Sequence, residues 1–155
     1  MPYNLSNPEA TQNELMAFMA GDQEFCVDIM AIREIRGWSA ATPLPKTPGY
    51  MKGVINLRGT ILPILDLSAR IGLGMCDPSG RNVIMVVQIG NRCVGLLVGA
   101  VSEIIMVNTS DIQPAPDVAV EEMKGLIMGI IPVGNRLLSL LDVNLLLPET
   151  EAEAA

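Results

Sequence analysis

Two aspartates, Asp66 and Asp142, close two similar apolar runs, Pro63-Ile64-Leu65-Asp66-Leu67 and Leu138-Ser139-Leu140-Leu141-Asp142-Val143. Two carboxylates, one from each half of a duplicated β-protein, are how aspartic proteases share a single proton. That chemistry uses Asp followed by Thr or Ser and then Gly, whereas Leu67-Ser68 and Val143-Asn144 follow here. An aspartate where a strand runs into a helix has a plainer use, in which its oxygen accepts a first-turn backbone N–H. A hydrolase built on Asp66 and Asp142 is carried only as an alternative.

Other routes to catalysis close quickly. The chain has no histidine, which removes the usual general base, metal ligand and phospho-acceptor and with them the common serine and cysteine triads. Cys26, Cys76 and Cys93 show no Cys-x-x-Cys spacing, so a zinc site is not expected. The glycines fall in no dinucleotide or phosphate-loop order. No catalytic residue, cofactor or metal is expected. Three unpaired cysteines fit a reducing, cytoplasmic setting.

Arg58 then becomes the polar residue of interest. It sits with Gly59 between Gly53-Val54-Ile55-Asn56-Leu57 and Thr60-Ile61-Leu62-Pro63-Ile64, at the tip of a hairpin. A solvated turn arginine is the plain reading, with Gly59 supplying the turn geometry. Asn56 and Pro63 give the segment more character than a turn needs, and arginine is enriched among residues that dominate interfaces. Glu34 and Glu103, each followed by isoleucine, read as edge-strand residues. Gly53, at a strand entry, marks either close approach by a partner or relief of internal packing.

The elements that must hold these residues are short strands. Half of the 155 residues are hydrophobic and only five are aromatic, so the core is aliphatic and favours strands. No apolar run reaches the roughly 18 residues of a membrane span. Net charge is −7 and the ten Lys and Arg form no stripe, so neither nucleic acid nor direct membrane insertion is expected. The N-terminus carries no secretory signal.

Residues 1–14 read as a disordered lead, Met75–Gly80 as a linker, and 148–155 as an acidic tail. Between them one grammar runs twice. Leu15–Ile29 is matched by Asn82–Val98, Glu34-Ile35 by Glu103-Ile104 at a spacing of 69, Lys52-Gly53-Val54-Ile55 by Lys124-Gly125-Leu126-Ile127 at 72, and Asp66 by Asp142 at 76. Slowly growing offsets in one order indicate an internal duplication. Turn signals every 8–12 residues mark a sandwich or barrel. The expected fold is all-β: two five-stranded barrels on a shared hydrophobic core, with short helices at strand ends. The first spans about 15–73 and the second about 82–147, with strand exchange between them open.

Ile32-Arg33-Glu34-Ile35-Arg36-Gly37, Pro45-Lys46-Thr47-Pro48-Gly49-Tyr50-Met51-Lys52-Gly53, Asn56-Leu57-Arg58-Gly59, Pro63-Ile64-Leu65-Asp66-Leu67 and Val94-Gly95-Leu96-Leu97-Val98 together resemble the CheW family of chemotaxis coupling proteins. The likeness runs from about Leu15 to Leu147. It implies two SH3-like barrels and a non-enzymatic adaptor. Such an adaptor bridges the cytoplasmic tips of chemoreceptors to the regulatory domain of the CheA histidine kinase, at membrane-associated receptor arrays. In the family, the groove between barrels receives the receptor's helical hairpin. Block-to-block matching puts Ile32, Glu34, Gly53, Arg58, Ile84 and Ile104 there, and Ile29 at the kinase contact. A coupling protein of a related pathway for surface motility is the alternative within the family. One departure is Gly99-Ala100, where the family commonly has an aspartate.

Overall fold

The computed structural model describes residues 12–74, 82–114 and 125–146. The first eleven residues, the linker with Cys76, Lys124 and the acidic tail lie outside them. Ten strands run in chain order: β1 Gln12–Ala20, β2 Gln23–Asp28, β3 Ile32–Gly37, β4 Met51–Leu57, β5 Thr60–Asp66, β6 Val83–Ile89, β7 Arg92–Val98, β8 Ala100–Asn108, β9 Ile127–Val133 and β10 Arg136–Leu141. One α-helical turn, α1, covers Leu67–Arg70. β1 opens three residues inside the segment expected to be a disordered lead, because Gln12, Asn13 and Glu14 pair with Asn108, Val107 and Met106 of β8.

The strands form two five-stranded sheets, ordered β8-β1-β2-β10-β9 and β3-β6-β7-β5-β4. We call them barrel A and barrel B. Barrel B is one continuous stretch of chain, β3 to β7, whereas barrel A joins the first two strands to the last three. The expected division at residues 15–73 and 82–147 therefore marks the repeats and not the barrels: each repeat gives its leading hairpin to the other. Equivalent pairings follow, with β2 parallel to β10 as β7 is to β5.

Burial explains why the leading hairpins read as almost continuous apolar runs. In β6, Ile84 and Val86 point into barrel B, while Met85, Val87 and Ile89 point into the seam between barrels. In β1, Leu15 and Ala17 fill barrel A, while Met16, Phe18 and Ala20 join the seam. A strand covered on both faces has no polar alternation to show. The seam is the largest core, and Phe18 stacks on Phe25 within it, ring centroids 6.0 Å apart.

A single isolated bridge draws the outer strands of each barrel together. Thr42, in the loop after β3, exchanges backbone hydrogen bonds of 2.8 and 2.9 Å with Val54 of β4; Gln113, after β8, does the same with Ile130 of β9. Here Gly53 finds its role. It stands at φ +136°, and a Cβ on it would overlap the Thr42 carbonyl and lie 2.9 Å from the Pro43 Cα. The close backbone approach that the sequence allowed is made by the chain itself. Its structural counterpart is Gly129, which pairs with Leu140 as Gly53 pairs with Ile64. The Lys124-Gly125 echo is thus a local likeness four residues out of register.

Candidate functional site

Both aspartates serve as caps. Asp66 Oδ1 accepts from Ser68 Oγ at 3.1 Å and Ala69 N at 3.4 Å, and Asp142 Oδ1 accepts from Asn144 N at 3.0 Å. Asp66 is wholly buried, so no substrate reaches it. The proton-sharing dyad is overturned by this geometry.

A polar cluster that does meet solvent lies where barrel B closes. β3 and β4 are the outer strands of its sheet, and closure brings Glu34 on β3 beside the β4–β5 turn. Arg58 occupies that turn at φ +53°, with Gly59 at +86°, the two left-handed residues a tight hairpin turn demands. Arginine is an unusual choice for such a position. Asn56 steadies it, its Oδ1 accepting from Gly59 N at 2.8 Å. Arg58 Nη2 donates to Glu34 Oε2 at 2.8 Å, and Arg36 Nη1 donates to Glu34 Oε1 at 3.2 Å. One carboxylate therefore holds two guanidiniums.

The electrostatics follow from those bonds. The hydrogen bond from Arg58, then that from Arg36, lowers the Glu34 pKa, and Glu34 in turn raises that of Arg58. The pair stays ionised, with 69% of the Arg58 side chain and 29% of the Glu34 side chain exposed. Arg36 was not foreseen as part of the site. Its signal was available, since Glu34 and Arg36 are two apart on a strand and so share a face.

The other expected residues divide. Ile104 is 52% exposed on the outer face of β8. Ile32 is half-buried against the seam, as is Ile29 in the 3-10 turn after β2. Ile84 is completely buried inside barrel B, and Gly53 is buried beneath Thr42. Neither presents surface to a partner. The groove's expected apolar lining is thus reduced to Ile32 and Ile104. Beside the charged cluster a cavity of about 410 Å³ opens between the end of β3 and β4, lined by Arg36, Ser39, Thr42, Val54, Asn56 and Ile61, among others.

Among the described residues no helix is long and apolar enough to cross a membrane, and no three of Cys, Asp and Glu gather as metal ligands would. Cys26 and Cys93 are free thiols. Burial, reinforced by nearby Glu24, pushes the Cys26 thiol up to about 12, so it behaves as a core side chain.

Comparison with known proteins agrees with this architecture. The CheW-like domain family matches residues 14–151. The chemotaxis protein CheW of Rhizobium meliloti is 51% identical over 142 residues, which cover 92% of each chain. The probable chemotaxis protein CheW of Rhizobium etli is 48% identical over the full length of both. Among solved structures, the scaffolding protein TtCheW of Thermoanaerobacter tengcongensis superposes with a TM-score of 0.80 at 29% identity, covering 86% of this chain and 91% of its own. Two SH3-like barrels sharing a seam, the motif blocks in order, and these matches together place the chain in the CheW-like family.

Proposed function

We propose that the protein is a non-enzymatic adaptor of bacterial chemotaxis signalling, coupling the cytoplasmic tips of chemoreceptors to the regulatory domain of the CheA histidine kinase at membrane-associated arrays. The observation that carries the reading is Arg58: an exposed guanidinium on a fixed left-handed turn, aimed by a 2.8 Å bond to Glu34. Pre-organisation lowers the ordering cost that a flexible arginine would meet on binding.

Ile32 and Ile104 offer apolar contacts for an amphipathic helical hairpin, with Glu34 and Arg58 setting its register by charge. Gly53 and Ile84 support this face from behind, through barrel closure and packing. Ile29, on the turn leaving β2, is the kinase contact. An interface of about 1,200 Å² or less belongs with weak, transient encounters, and joint engagement of receptor and kinase raises the effective concentration of each. The protein acts in the cytoplasm.

Calorimetric titration of the purified chain with a receptor-tip fragment tests the reading. Binding that weakens on Arg58→Ala while the fold is retained supports it; no binding by the wild-type chain removes it.

A further inference from the structure

Sulfur is unevenly placed in this chain, which carries ten methionines against five aromatic residues. Among the described residues Met16 and Met85 are buried in the seam, at 8% and 0% exposure. Met19, Met51 and Met128 are half-buried. Met30 and Met106 stand apart, 67% and 56% exposed.

Both open methionines adjoin residues assigned to partner contacts. Met30 follows Ile29 in the 3-10 turn Ile29–Ala31, which buries none of its residues. Its backbone N–H donates to Asp28 Oδ1 at 3.0 Å, so the turn is tied down while the side chain stands in solvent. Met106 lies two residues beyond Ile104 on β8. Ile105 and Val107 fill barrel A, so strand alternation puts Ile104 and Met106 together on the outer face.

The described thiols are poorer targets for an oxidant. Cys26 is buried, with its thiol pushed up to about 12. Cys93 is half-buried, and its Sγ donates to Gln88 Oε1 at 3.4 Å. An oxidant reaching this surface therefore meets thioether before thiol. A thioether at a contact is an adaptable apolar filler, whereas its sulfoxide is polar and chiral. On an exposed side chain that change costs the fold little, because the new oxygen stays in water. Under a partner the oxygen must give up its water, and an unpaired polar group resists burial.

We propose that Met30 and Met106 are oxidation sites through which a peroxide releases the chain from its partners. The thioether sulfur attacks one oxygen of hydrogen peroxide, and the O–O bond breaks. The departing hydroxide takes the proton of the transferred hydroxyl and leaves as water, so sulfur is oxidised to the sulfoxide and peroxide is reduced. Release of the kinase through Met30 and of the receptor through Met106 rests on the adaptor reading; oxidation of the two sulfurs does not.

The test treats the full chain with hydrogen peroxide, maps the sulfoxides by mass spectrometry, and titrates it with a receptor-tip fragment and the kinase regulatory domain. Met30 and Met106 should gain oxygen before Met16 and Met85, with the melting temperature retained. The oxidised chain should lose about tenfold in affinity for each partner, and methionine sulfoxide reductase should restore it. Met106→Leu, which keeps an apolar side chain of similar size, should show no difference in receptor binding between treated and untreated samples. Met30→Leu should show none in kinase binding. Oxidation that spares Met30 and Met106, or undiminished affinity in a chain carrying both sulfoxides, overturns the proposal and leaves the adaptor standing. An untreated chain that binds neither partner removes the adaptor reading, and the release with it, whatever the order of oxidation.

Discussion

The two barrels solve one problem with opposite charge. Glu34 on β3 faces Val86 as Glu103 on β8 faces Ala17, so the two glutamates are structural counterparts, 69 residues apart. In barrel B two arginines share Glu34; in barrel A two glutamates share Arg136. The arginines also differ in station. Arg58 rides on the hairpin turn with 69% of its side chain exposed, whereas Arg136 is the first residue of β10, is 40% exposed, and is gripped from both sides. The tie leaves an exposed guanidinium on a turn in one barrel and a guanidinium braced between two carboxylates in the other.

The interiors diverge in the same compensating way. Barrel A pairs Ala17 with Cys26 across β1 and β2, and barrel B pairs Val86 with Gly95 across β6 and β7. A larger side chain on one strand is offset by the loss of one on its neighbour. A Cβ on Gly95 would stand 2.6 Å from Ile64 Cδ1 and 2.9 Å from Ile84 Cγ2, so barrel B has no room for the cysteine of barrel A.

The largest effect should come from what the barrels share. Phe25 is fully buried in the seam, and Phe25→Ala should cost about 3–5 kcal/mol. Calorimetry should show one unfolding transition, lowered as a unit; two separated transitions would mean that the barrels are independent. Next, Gly95→Cys should destabilise by about 1–3 kcal/mol through overpacking. Adding Val86→Ala, which copies barrel A, should restore part of that loss in denaturant melts. Failure to recover would show that the compensation is only apparent.

Smaller still are the surface exchanges. Arg58→Ala should weaken receptor-tip binding about ten-fold or more, with at most a slight fall in melting temperature from the lost surface ion pair. Arg136→Ala should leave that binding intact, and equal losses from both would erase the distinction between presenting residue and brace. The smallest effect is the titration of Glu34. Its folded pKa is lowered from the ordinary 4.5, so the pair's stabilising contribution is present above that value and disappears as pH falls through the lowered one. Carboxyl ¹³C shifts should place the Glu34 midpoint below 4.5 in wild type and move it upward in Arg58→Ala.

Much of this was legible in the sequence, for local reasons. Gly21-Asp22, Gly90-Asn91 and Gly134-Asn135 turn their hairpins as their residue types require, and Asp66 and Asp142 cap the turns they precede. Exchange of the leading hairpins stood open in the sequence but could not be assigned from it. Runs buried on both faces, such as Val83–Ile89, carry no alternation to say which sheet they join. Gly53, which ends a motif block of the family, and Ile84, placed by matching between blocks, looked like surface, but a matched position marks what is needed, and closure of a barrel needs it as much as docking does. The Arg36–Glu34–Arg58 arrangement depends on bringing the two outer strands of one sheet together, 24 residues apart in the chain.

The most direct measurement is sedimentation of the purified chain mixed with a receptor-tip fragment and the kinase regulatory domain. A ternary complex should form, with Arg58→Ala losing only the receptor and Ile29→Glu losing only the kinase. Competition between the two partners for the chain, or loss of both through either substitution, would contradict an adaptor that holds them on separate faces.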